Sequence, residues 1–114
     1  MSRPSLSQQQ QQELQKLQQM SQQLSSLQQN YYQMQGRQRE LENTLKSIAE
    51  LPDTDELYRN VGQLMFKSQV GKTRVDLTEQ LELIEIRVKQ AKKQVDDLEK
   101  IVKETESKLR ASIQ

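Results

Sequence analysis

The chain contains no cysteine, no histidine and no tryptophan, and it has a single phenylalanine. Without cysteine there are no disulfides or thiolate metal sites, and without histidine the chain lacks the most common metal ligand and general base. Its three glycines, at positions 36, 62 and 71, are too dispersed to cradle a phosphate. No carboxylate is placed where a cleft could raise its pKa. The sequence therefore predicts a protein that is not an enzyme and has no metal or cofactor site.

Apolar residues are scarce and the net charge is small. Only 32% of the residues are apolar, against about 45–50% in typical globular domains, so we expect no compact core. Seventeen basic and sixteen acidic residues give a formal charge of +1, which creates no field to attract nucleic acid. The chain has no long apolar run, and Met1-Ser2-Arg3-Pro4 leads into glutamines instead of a secretory signal. We therefore expect a soluble cytoplasmic protein that binds neither nucleic acid nor membrane.

Glutamine dominates the first forty positions, with an unbroken run at residues 8–12. Such composition predicts a disordered polar tail over residues 1–10. Farther on, apolar residues recur at alternating spacings of three and four, which is the heptad repeat of a coiled coil. This first series predicts a helix over residues 11–50. Its members are Leu17, Met20, Leu24, Leu27, Tyr31, Met34, Leu41, Leu45 and Ile48, with Gln38 as one polar position.

A second heptad series follows Pro52, which ends the first helix because proline cannot continue it. This series predicts a helix over residues 73–111, with Ser68 and Thr73 as candidate caps. Its members are Leu77, Leu81, Ile84, Val88, Ala91, Val95, Leu98, Val102, Thr105 and Leu109.

The two series have similar lengths, so the simplest arrangement is an antiparallel two-helix coiled coil. The expected facing pairs are Ile48 with Leu77, Leu41 with Ile84, Leu27 with Leu98, and Leu17 with Leu109. A parallel coiled coil between chains is the alternative, but Pro52 and the linker would interrupt it.

The residues between the helices continue neither heptad series. Their rough alternation and flanking turn residues predict a β-hairpin over residues 56–67, with strands at 56–60 and 63–67 that reverse at Val61-Gly62. A lone hairpin is marginally stable and exposes two unpaired edges. Hairpins from several subunits are therefore expected to pair, so that the chain forms oligomers through the bend. The predicted assembly residues are Tyr58, Val61, Gly62, Leu64, Met65 and Phe66, together with Leu83 and Ile86, which lie off the helix seam near the hairpin.

The opposite end of the coiled coil has a weaker seam. Thr105 and Ser112 occupy seam positions there, so we expect fraying that offers flexible apolar surface to a partner protein. The alternative is that the apolar residues simply close the coiled coil. The residues predicted to contact a partner are Leu14, Leu17, Met20, Val102, Leu109 and Ile113.

The bend Leu57-Tyr58-Arg59-Asn60-Val61-Gly62-Gln63-Leu64-Met65-Phe66, with the following helix start Val75-Asp76-Leu77-Thr78-Glu79-Gln80-Leu81, resembles the β-class subunits of prefoldin. The resemblance covers the chain from about residue 12 to its end. A single hairpin indicates the β class, because α-class subunits carry two. Within the β class the subunit-1 type is nearest, and the types of subunits 6 and 2 are alternatives.

The resemblance implies a heterohexamer in which two α-class and four β-class subunits share a double β-barrel with projecting coiled coils. It also implies an ATP-independent chaperone that captures unfolded proteins, such as actin and tubulin, and delivers them to the cytosolic group II chaperonin. The hairpin residues would then belong to the assembly barrel and the six residues at the other end would face client or chaperonin. The alternative function is a structural coiled-coil adaptor that tethers two partner proteins and recognises folded surfaces.

Overall fold

A computed structural model describes residues 6–113. Helix α1 (Gln8–Ser47) is followed by strand β1 (Glu56–Val61), strand β2 (Leu64–Gln69) and helix α2 (Val70–Ile113). The chain divides into two compact units. The hairpin unit is Gln33–Lys89, and the terminal unit consists of Met1–Tyr32 and Gln90–Gln114. Each unit contains a segment of both helices, and the hairpin unit also contains the strands.

The predicted seam is protected from solvent in both units, since every heptad position of the two series is buried or half-buried. In the terminal unit, Gln10 Nε2 at the start of α1 donates to the carbonyl of Ser112 at the end of α2 (3.1 Å). In the hairpin unit, Arg37 Nη2 donates to Gln80 Oε1 (3.1 Å). These contacts confirm the antiparallel two-helix coiled coil. The most deeply buried seam residues are Leu41, Ile48, Leu77, Ala91, Val95, Val102 and Leu109.

Helix α1 begins earlier than the sequence prediction because of a capping box. The Ser7 hydroxyl accepts from the backbone N–H of Gln10 (3.1 Å), and the Gln10 side-chain carbonyl accepts from the N–H of Ser7 (2.9 Å). This reciprocal pair satisfies two N–H groups that a helix start leaves without a partner. The predicted disorder over residues 1–10 is therefore wrong for residues 8–10, which are helical. Residues 1–5 lie outside the described part of the chain.

The junction between α1 and α2 is closed by backbone and arginine hydrogen bonds. The side chain of Arg74 donates to the carbonyls of Ile48 (2.8 Å) and Leu51 (3.0 Å) and pairs with Asp53. These carbonyls follow the last turn of α1 and would otherwise need water or a cap. In return, the N–H groups of Val70 and Gly71 donate to the carbonyls of Asp55 (2.9 Å) and Asp53 (3.0 Å).

These bonds account for two differences from the predicted boundaries. Helix α1 ends at Ser47 instead of residue 50, because residues 48–50 form turns and the carbonyl of Ile48 accepts a hydrogen bond from Arg74. Helix α2 starts at Val70 instead of residue 73, because the carbonyls of Asp53 and Asp55 cap it. The expected caps Ser68 and Thr73 instead share a hydrogen bond with each other (3.2 Å).

The strands reverse through residues 62–63, one position later than predicted, and extend to Val61 and Gln69. Gly62 has a φ of 61° and occupies the first central position of this two-residue turn. That position requires positive φ in the type II′ turn, which matches the twist of paired strands. The β-hairpin is therefore present as expected, and its turn depends on Gly62.

Replacing Gly62 or Gly36 with alanine should have opposite effects, although an added Cβ would meet nothing within 4 Å at either position. At Gly62 the positive φ makes a side chain unfavourable by about 1 kcal/mol. At Gly36, inside α1, alanine should stabilise the helix by about 1 kcal/mol. Hydrogen exchange of the amides near each site is the measurement. We expect faster exchange in the strands of Gly62→Ala and slower exchange around residue 36 in Gly36→Ala. Effects of equal sign would contradict this assignment.

Candidate functional site

The β-hairpin presents two faces, because directly opposed residues of an antiparallel pair share a face and successive residues alternate. We define the inner face as the one that contacts α2. Its cross-strand pairs are Leu57–Ser68, Arg59–Phe66 and Val61–Leu64. The outer face carries Glu56–Gln69, Tyr58–Lys67 and Asn60–Met65.

The inner face is attached to α2 by polar contacts. Arg59 Nη2 donates to Asp76 Oδ2 (2.9 Å), and Ser68 bonds to the buried Thr73. Gln80 Nε2 donates to the same oxygen of Asp76 (3.2 Å). The hydrogen bond from Arg59 and that from Gln80 hold the pKa of Asp76 below the usual aspartate value, against an opposing effect of desolvation. Asp76 therefore stays ionised throughout the physiological pH range.

Apolar side chains are exposed on both faces of the hairpin. Tyr58, Val61, Leu64, Met65 and Phe66 are between 50% and 68% exposed, and they include the largest side chains of the strands. An exposed apolar cluster of this kind marks an interaction surface. Covering the exposed part of each side chain is worth about 1–2 kcal/mol. These are the hairpin residues that the sequence predicts for assembly, and the structure places them together around the turn at Gly62.

The two predicted assembly residues on α2 are also exposed. Leu83 is 49% and Ile86 56% exposed. Val75, which sequence reasoning missed, is 61% exposed. A rotation of about 100° per residue places Val75 and Ile86 nearly in line along the helix. The sequence contained a signal for this exposure, because Val75 is an apolar residue outside the heptad series.

The predicted partner-contact residues all lie in the terminal unit, but their exposure differs. Val102 and Leu109 are buried in the seam, whereas Ile113 is 51% exposed. The other three, Leu14, Leu17 and Met20, are half-buried. The structure adds two exposed apolar residues that sequence reasoning missed, Tyr32 and Ile101. Both lie outside the heptad series, which was the signal available for them.

Metal-binding clusters and membrane-crossing helices are both absent from the described residues. Within residues 6–113, no group of acidic side chains is arranged to hold a metal ion. Over the same residues, neither helix has the apolar stretch needed to cross a membrane. The described residues offer apolar contact surface, on the hairpin strands and on the helices.

The sequence matches one protein family and individual members of it. The family described as "Prefoldin subunit" matches residues 11–114. The prefoldin subunit beta of Thermoplasma acidophilum is 32% identical over 111 residues, which cover 96% of this chain and 90% of that protein. The corresponding subunit of Thermoplasma volcanium is 31% identical over the same coverage.

A solved structure agrees with these sequence relatives. The crystal structure of the prefoldin beta subunit from Thermococcus strain KS-1 superimposes with a TM-score of 0.84 at 27% identity, and 96% of each chain is covered. These relatives are beta subunits, as the single hairpin indicated, while the subunit-1 type stays a prediction. Family match, relatives and superposition agree over nearly the whole chain, so it belongs to the prefoldin family and to its β class.

Proposed function

We propose that this chain is one of four β-class subunits in a heterohexameric chaperone, joined to two α-class subunits through its β-hairpin. The observation that carries this proposal is the set of five apolar side chains exposed on both hairpin faces. A single covering partner could bury one face, whereas these residues require contact on two. In a β-barrel, adjacent hairpins would pair the free strand edges, strands across the barrel would cover the inward face, and other elements of neighbouring subunits would cover the outward face.

The terminal unit is proposed to hold unfolded client proteins. Ile113, Tyr32 and Ile101 are exposed there as single apolar residues. Leu14, Leu17 and Met20 add half-buried surface, and the thioether of Met20 adapts to varied partners. Val102 and Leu109 would join this surface only where the seam opens. Weak, dispersed apolar contacts suit capture of many unfolded sequences.

The part of α1 in this unit carries no charged side chain after Lys16. No acidic or basic residue occurs at positions 17–36. A client of either charge therefore meets no repulsion along this stretch. We propose that clients such as actin and tubulin are held here and passed to the group II chaperonin in the cytoplasm. Holding by apolar contact needs no nucleotide.

Native purification of the tagged chain tests this proposal. We expect five further small subunits by mass spectrometry of the intact complex, of which two are α-class. The complex should suppress aggregation of chemically denatured actin and of an unrelated denatured enzyme, without ATP. Adding the chaperonin should transfer the actin. An adaptor would instead bring down one or two folded partners and leave both aggregation reactions unchanged, which would contradict the proposal.

A further inference from the structure

A chain of polar side chains connects the hairpin to both helices within the hairpin unit. Arg59 on β1 donates to Asp76 on α2 (2.9 Å), and Gln80 donates to the same carboxylate oxygen (3.2 Å). Arg37 on α1 then donates to Gln80 (3.1 Å) and pairs with Glu40 (3.1 Å). One hydrogen-bonded series therefore reaches from the middle of a strand to α1.

Arg59 is placed to control the direction of the hairpin. The Ser68–Thr73 bond lies at the hairpin base, where β2 runs into α2, and it spans only five residues of sequence. The Arg59–Asp76 bond spans seventeen residues and contacts β1 near its middle. A hairpin held only at its base is free to tilt relative to α2, whereas a second contact near the middle of β1 fixes its angle to that helix.

The tilt of the hairpin determines where its exposed apolar residues lie. Phe66 lies directly opposite Arg59, and Val61 and Leu64 are the next pair on the same face. If the hairpin tilts freely, association must restrict that motion, which reduces affinity. A hairpin that is already oriented presents both faces in the arrangement that neighbouring subunits cover.

We propose that Arg59 and Asp76 are positioning residues that fix the hairpin on α2 and preorganise its apolar faces for subunit assembly. This inference rests on the proposed function. Gln80 supports the carboxylate as a second donor, and the low pKa of Asp76 keeps the contact charged at physiological pH.

The test uses the full chain with Arg59→Met, Arg59→Asp, Asp76→Arg and the reversed pair Arg59→Asp/Asp76→Arg. Each single variant should lower the apparent association constant with the subunits that co-purify with the wild-type chain by about tenfold. The reversed pair should recover most of it, because the opposite charges face each other again. Lys103→Met, which breaks an ion pair with Glu99 in the terminal unit, is the control and should assemble normally.

Residual dipolar couplings of the strand amides, measured on the free chain, test orientation without any partner. The couplings of the single variants should no longer fit the wild-type orientation of the strands relative to residues 70–80, while helical circular dichroism stays unchanged. Wild-type couplings in Arg59→Met, or no recovery in the reversed pair, would overturn the inference. A wild-type chain that assembles with nothing would refute the proposed function instead, and the couplings would still decide the role of Arg59.

Discussion

Replacing Tyr58 and Phe66 with aspartate should prevent the chain from entering a hexamer. Tyr58 lies on the outer face and Phe66 on the inner face, so the double variant introduces a charge on each side of the hairpin. A buried, unpaired carboxylate costs several kcal/mol, which exceeds what the exposed part of either ring contributes. Size-exclusion chromatography with light scattering of the co-expressed subunits is the measurement.

The effect should be specific to assembly, because both rings are already at least half exposed in the single chain. Tyr32→Asp is the matched control, since Tyr32 is exposed to a similar degree in the terminal unit. Tyr58→Asp alone leaves the inner face and the Arg59–Asp76 bond in place and separates loss of apolar contact from loss of orientation. Recovery of an intact hexamer containing the double variant would contradict the proposal that the hairpins assemble in a β-barrel.

Removing residues 1–20 and 103–114 should leave assembly intact and abolish suppression of aggregation. The deletion takes away Leu14, Leu17, Met20, Leu109 and Ile113, which are five of the six client contacts predicted from the sequence. It spares the hairpin unit entirely. Light scattering of denatured actin, with and without the truncated complex, is the measurement.

A milder variant distinguishes lost contact from a damaged seam. Ile113 is exposed, so Ile113→Ser removes apolar surface and leaves the seam residues unchanged. We expect partial loss of suppression from Ile113→Ser and no change in thermal unfolding. Full suppression by the truncated complex would show that clients bind elsewhere.

The helices and their pairing were predictable because they follow from local periodicity. Each heptad position from Leu17 to Leu109 is at least half-buried, as a seam requires. The hairpin was predictable for the same reason, since alternation and one glycine are local signals. The superposition on the prefoldin beta subunit agrees with this architecture.

The helix ends were predicted less well because they depend on distant partners. The capping box of Ser7 and Gln10 was readable in principle, but the glutamine run obscured it. The contacts from Arg74 to the carbonyls of Ile48 and Leu51 join residues more than twenty positions apart, and no local pattern announces them. The Arg59–Asp76 contact, between residues seventeen positions apart, likewise follows from no local pattern.

The predicted functional residues differ in surface exposure between the hairpin and the terminal unit. The hairpin residues are exposed because two short strands cannot cover their own side chains. Val102 and Leu109 are buried because they occupy regular heptad positions, so the same apolar character that suggested client contact also closes the seam. Their part in client binding, like that of the other terminal residues, stays a prediction.

Strand β2 ends at Gln69 and helix α2 begins at Val70, so no spacer separates them. Each residue of an α-helix advances the chain by about 100° around the axis. One residue inserted at this junction would therefore swing the hairpin about a quarter of the way around α2 and point its apolar faces in a new direction. Residues 48–55, on the other side of the hairpin, form an irregular connection, where an added residue does not rotate the hairpin about a helix axis in this way. We therefore expect one inserted residue to disturb assembly more at this junction than within residues 48–55.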